Sequence, residues 1–247
     1  MFVRELEIAI LENRIAMKRM SFFLCVLLFV SAAEIRQAQA QTSVASYVTA
    51  APLNQYFISE RSSEIALARS AAPASLSDGA EVLVLDKNGY VTATKGSNGF
   101  VCIVERSWAK TTDDSEFWNP KVRAPLCVNG PAARSYLPIV LLKTKLALAG
   151  RDKAEIAQAL KLALDRKELP SLEANAMCYM MSRQQYLSDQ DTHWHPHMMW
   201  FVPGDSVKSW GTDMPGVPGY AGSVLEDRMT VFMLTVDHWS DGSPSML

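Results

Sequence analysis

The sequence predicts an α+β fold: a single exported domain after a signal peptide, with helices packed on an antiparallel sheet. Three observations predict it. Short runs of strand composition with two-residue alternation, Glu81 to Asp86 and Tyr90 to Lys95, are joined by the turn dipeptide Asn88-Gly89. Leu137 to Ala149 and Asp152 to about Glu168 carry helical character, the second with a buried stripe of Ile156, Leu160 and Leu164. Two later apolar runs, Asp191 to Val202 and Val231 to Trp239, read as strands, and the first is largely apolar on both faces, as a strand interior to a sheet is.

The elements follow in order. Met17-Lys18-Arg19-Met20, the apolar run Phe22 to Ala33 and Ala38-Gln39-Ala40 make a positive region, a hydrophobic region and a cleavage signature, so residues 1–40 are expected to be an extension plus signal peptide. The charged leader before Met17 suggests that translation starts there. The apolar run falls short of the roughly 20 residues a membrane helix needs, so no stable membrane span is expected once the signal is removed. The exported domain covers residues 41–247 and is expected in the periplasm or secreted. It opens with a helix from Asn54 to Ala72, ended by Pro73. The hairpin comes next, and Phe100 to Arg106 is expected to complete a three-strand antiparallel meander. In that third strand Val101, Ile103 and Glu105 share one face, and Cys102, Val104 and Arg106 the other.

Trp108 to Pro131 reads as a long irregular loop, ordered by Phe117, Trp118, Lys121 and Arg123, and loops of that length in a compact domain are usually functional. Gly150 ends the first helix, and Asp152 with Glu155 forms a capping box for the next. Ala176 to Ser182 is a short strand. Pro203 to Gly222, rich in Gly and Pro, is a loop that covers the ends of two buried strands. Export implies oxidation, so Cys102 and Cys127 are expected to pair and leave Cys178 as a buried thiol or a soft metal ligand.

Net charge is −2 with no basic stripe, which argues against nucleic acid as a partner and leaves an unknown small ligand. No Gly-x-Ser-x-Gly, phosphate-binding Gly-Lys-Ser/Thr, dinucleotide or Cys-x-x-Cys motif is present. Three of the four histidines, His193, His195 and His197, fall within five residues, and the fourth is His238. On a strand the three share a face with Met199 and Phe201, and neighbours two apart lie close enough to share a metal. Pro196 is expected to bend or edge the strand. Pairing with the Val231 to Trp239 run would bring in His238, with Asp191 or Asp237 as further ligands. The expected metal is zinc, with copper second because nine of the twelve methionines follow residue 170. Such a site implies metal-dependent hydrolysis, with a nearby carboxylate as general base. Glu105 with Arg106, or Asp113 with Asp114, are further acid, base or anion-binding candidates. The alternative is a ligand-binding or interaction domain with core histidines, in which Trp194, Trp200, Trp210 and the Gly/Pro loop grip an apolar or carbohydrate-like ligand.

Overall fold

The computed structural model describes residues 47–190, 194–212 and 214–245, so residues 1–40, expected to be an extension plus signal peptide, lie outside the described residues, as do Asp191 and His193. Alternating apolar residues build eight strands among the described residues: β1 (Glu81–Asp86), β2 (Gly89–Thr94), β3 (Val101–Glu105), β4 (Ala124–Val128), β5 (Met177–Met180), β6 (His197–Pro203), β7 (Tyr220–Val224) and β8 (Met229–Thr235). They form one sheet in the order β2-β1-β3-β4-β5-β6-β8-β7, antiparallel throughout except between β1 and β3. Five α-helices among the described residues pack on it: α1 (Arg61–Arg69), α2 (Ala74–Ser77), α3 (Gly130–Ser135), α4 (Leu137–Leu148) and α5 (Lys153–Asp165). This is the expected α+β domain.

The period of two sorts the core. Ile103, Leu126, Val128, Cys178, Met180, Phe201 and Met229 face α3 and α4, where Ala132, Tyr136, Leu137 and Val140 cover them. Val82, Val84, Cys102, Val104 and Cys127 face α1 and meet Ala68. Cys102 and Cys127 stand opposite each other in the β3–β4 register and form a disulfide, while Cys178 is a buried free thiol. A third cluster of Tyr56, Leu85, Trp108, Phe117, Trp118, Ala147 and Ile156 holds α4 and α5 to the end of β1.

Three expectations are corrected. The meander is replaced by a crossover: β2 pairs with one edge of β1, and β3 returns parallel to β1 along its other edge. Gly96 permits this by crossing against the backbone of β1, where a Cβ would lie 2.2 Å from the Glu81 nitrogen, so no other residue fits. The first helix begins only at Arg61. Tyr56 is drawn into the core, where its hydroxyl donates to the Trp118 carbonyl at 2.9 Å and its own carbonyl accepts from Arg106 Nε at 2.6 Å, which removes this stretch from a helical path. The long loop ends at Val122, because Ala124–Val128 is a fully buried strand. Pro125 is tolerated there, since β5 reaches only Cys127 and Val128 and no partner needs the missing N–H. The hairpin and the Asp152–Glu155 capping box form as expected, but the hairpin turns one residue earlier than expected, at Lys87-Asn88, with Gly89 at φ 122° as the first residue of β2.

Candidate functional site

The α4 face of the sheet is covered unevenly. Asn129 caps α3 by accepting from the Ala132 N–H at 3.0 Å, Pro131 starts that helix, and Tyr136 falls at the junction with α4. There its ring stacks on Phe201 of β6 at 3.9 Å and its hydroxyl donates to Glu105 Oε1 at 2.9 Å. Beyond Phe201 no helix among the described residues continues this cover. The cover is the segment from Arg106 to Val122, and between it and the sheet runs a cleft.

The segment is anchored at its root. The Arg106 guanidinium is fully buried; it meets Glu64 of α1 at 2.8 Å and also donates to the carbonyls of Tyr56 and Val104. Trp108 is fully buried and donates its indole N–H to Thr144 at 3.0 Å. Lys110 then extends over the sheet, 3.3 Å from Asp114 and 3.6 Å from Glu116. Thr112 donates both its N–H and its hydroxyl to Glu226, each at 2.8 Å, which ties the segment to the β7–β8 turn. From α4 the buried Lys143 reaches the same turn, 2.7 Å from Asp227 and 3.3 Å from Glu226, and donates to the Lys110 carbonyl. At the other lip Asp189 accepts from Tyr47, Asn119, Lys121 and Tyr186.

Two chambers result. One, of about 350 Å³, is lined by Glu105, Arg106, Ala109, Lys110, Val122, Ala124, Met180, Leu187, Ser188, Trp194 and Met199. The other, of about 370 Å³, lies over β6, β8 and β7 and is lined by Tyr136, Met199, Phe201, Tyr220, Val224, Asp227, Met229, Val231 and Met233 together with Lys110 and Asp114. Ala109, Lys110 and Met199 belong to both. Glu105 is the chemically distinct group. Its strand alternation places it on the apolar face, where it is 7% exposed, and burial pushes its carboxyl up to about 7 against the Tyr136 hydrogen bond and the Lys143 charge. Burial likewise raises Asp227 against the lowering effect of Lys143, and it holds the Tyr136 hydroxyl and the Cys178 thiol well above their ordinary ranges. A carboxyl that titrates near neutrality in a cavity is what a proton-transfer or recognition site uses.

The histidines are distributed differently. β6 starts at His197, just after Pro196, and His197 is buried on the α4 face with its Nδ1–H donating to the His195 carbonyl at 2.8 Å. Burial lowers its pKa, so the ring is neutral at pH 7. His195 precedes the strand, and its Nδ1 is buried without a hydrogen-bond partner among the described residues. β6 and β8 pair as expected, but their register sets His197 against Thr235. Continued past the strand end through the Val236 N–H bond to the Pro196 carbonyl, it sets Asp237 against His195 and leaves His238 on the alternate position. His238 is exposed and paired with Asp237 at 2.7 Å. Among the described residues no three His, Cys, Asp or Glu groups converge at metal-binding distance; His193 lies outside them.

The tryptophans also separate. Trp194 lines the first chamber, whereas Trp200 and Trp210 flank Phe232 on the opposite face of the sheet, at 5.8 and 4.5 Å. Tyr136, Lys143 and Asp227 were not among the sequence candidates. Lys143 carried the one available signal, a lysine inside the apolar run Leu137 to Leu148. No helix among the described residues is long and apolar enough to cross a membrane. Comparison with protein families, curated proteins and solved structures finds no match for the chain.

Proposed function

We propose that the chain is a ligand-binding domain, exported to the periplasm or secreted, whose site is this cleft and whose ligand is a small, mainly apolar molecule. The observation that carries the reading is the open cavity lined by Met180, Met199, Phe201, Met229 and Met233, in the two chambers between the 106–122 segment and the sheet. Adaptable thioether and aromatic walls with few polar groups are the ordinary make-up of a small-molecule site. The Cys102–Cys127 disulfide supports an oxidising compartment. Calorimetric titration of the full chain with octan-1-ol tests the reading. Saturable binding is expected, abolished by Ala109→Phe, which fills the wall common to both chambers. No binding, or equal binding to the filled variant, would overturn it.

A second reading is favoured by the Nδ1 of His195, which is buried and has no hydrogen-bond partner among the described residues. It is a zinc site, or less readily a copper site, shared by His195 and His197 with His193, with metal-dependent hydrolysis as its chemistry. Elemental analysis of the protein beside a His193→Ala/His195→Ala variant tests it. About one equivalent of metal, lost in the variant, supports the site, and metal-free protein after incubation with zinc and copper salts removes it.

A further inference from the structure

Every cation lining the cleft is already engaged, and carboxylates outnumber cations there. Lys110 is matched by Asp114 and Glu116, Asp227 by Lys143 at 2.7 Å, and Arg106 by Glu64 at 2.8 Å. Glu105 lines the cavity, is more than nine-tenths buried, and has no cation within ion-pair distance among the described residues. Its Oε1 takes the Tyr136 hydrogen bond, and Oε2 has no partner among the described residues. We propose that the cleft selects lipophilic monoamines: the ammonium head sits on the free oxygen of Glu105, and the apolar body lies along Met180, Met199 and the Trp194 ring. The inference rests on the cleft being the binding site. An amine supplies both things Glu105 lacks among the described residues, a cation of its own and N–H donors, up to three, for its open oxygen. A carboxylate ligand would meet Glu105 with like charge and find Lys110 already engaged.

Binding is then linked to the ionisation of Glu105. The groups that face this carboxyl are Tyr136 from the α3–α4 junction, Lys143 from α4, Asp227 from the β7–β8 turn, Cys178 from β5, Tyr90 from β2 and Lys110 across the cavity. Burial raises Tyr136, Cys178 and Tyr90, so these three stay neutral between pH 6 and 8. With its carboxyl at about 7, Glu105 passes from roughly one-tenth to roughly nine-tenths ionised over that interval, while an alkylammonium stays charged.

The test compares octylamine, octan-1-ol and octanoate by calorimetric titration of the full chain at pH 6 and pH 8. The amine is expected to bind tightest at pH 8, its affinity rising up to about tenfold from pH 6 while that of the alcohol stays level. Glu105→Gln, which keeps the size and the acceptor for Tyr136, is expected to retain alcohol binding and lose both the amine preference and its pH dependence. Thermal melting of this variant checks that it is folded. Alcohol binding with no preference for the amine, or an amine preference that survives Glu105→Gln, overturns the inference and leaves the apolar cleft standing. Failure of all three probes to bind overturns the cleft and the inference together.

Discussion

Replacing Glu64 by leucine strands the Arg106 guanidinium in the core. The two side chains are 2% and 0% exposed, 2.8 Å apart, and Glu64 Oε1 also accepts the Leu85 N–H at 3.0 Å. The substitution removes a charge partner and orphans a backbone donor while changing side-chain volume little. Breaking a buried pair in this way costs about 3–5 kcal/mol. At roughly 2–4 °C per kcal/mol for a domain of this size, the melting temperature should fall by about 6–20 °C. An arginine cannot escape by losing its proton, so the deficit is expected to stay flat between pH 5 and 9. Glu64→Gln, which keeps an acceptor and loses only the charge, should cost about 1.5–3 kcal/mol. The double variant Glu64→Leu/Arg106→Met should regain at least about 1 kcal/mol over the single, although the carbonyls of Tyr56 and Val104 then lose their donor. Urea unfolding reads all three variants, with an unchanged denaturant slope as the check on two-state behaviour. A loss below about 1 kcal/mol for Glu64→Leu, or a double variant as weak as the single, would refute the account of Arg106 as the charged root of the 106–122 segment.

Lys143→Met should cost about 3–5 kcal/mol at pH 8, because Asp227 is left buried and unmatched. Burial already raises the folded carboxyl of Asp227, and losing Lys143 raises it further. The charged form is therefore disfavoured above the folded pKa and relieved below it, so urea midpoints of variant and parent should converge as pH falls from 8 toward the ordinary carboxylate range. Converting Cys102 and Cys127 to alanine frees a loop with a sequence separation of 25, worth about 3.5 kcal/mol of chain entropy, and only the parent's urea midpoint should respond to a reducing agent. Asp189→Ala should raise hydrogen exchange of the amides near Asn119 to Lys121 and Tyr186 to Gln190 with little effect on the sheet. Burial pushes the Asp189 carboxyl up, but hydrogen bonds from Tyr186, Tyr47, Lys121 and Asn119 outweigh it and hold it below the usual range, so the parent should loosen the same segments only in strong acid.

What the sequence disclosed of the fold was local. Asn88 and Gly89 mark a hairpin whose two-residue turn falls at Lys87-Asn88, Asp152 and Glu155 reciprocate across one helical turn, and Cys102 and Cys127 meet because two alternating strands lie side by side. What stayed hidden depends on contacts distant in sequence. The crossover of β3 follows from a glycine that must cross the backbone of β1, and nothing near Gly96 in sequence says which edge of the hairpin the next strand will take. β4 was concealed by Pro125 and by the turn formers before it, and only its one-sided pairing at that point makes the proline acceptable. Tyr56 leaves its helical path for partners 50 and 62 residues away.

The same division applies to the site. A cluster of histidines is conspicuous because the residue type is rare, yet its geometry depends on a register that adjacency cannot fix, and here β8 continues with Asp237 rather than His238 opposite His195. Glu105 was conspicuous in another way. It occupies the third position of the face that begins Val101 and Ile103, where a solvated carboxylate would break the apolar pattern. A carboxylate in such a place either ends the buried part of the strand or is buried at a cost, and the buried case requires a donor and a reason. The structure supplies the donor in Tyr136 and leaves the second oxygen open to the cavity lined by Met180, Met199 and Trp194. A lone charge on the apolar face of a short strand is thus a signal of the same standing as a run of like residues, because apolar packing alone gives no reason to retain it.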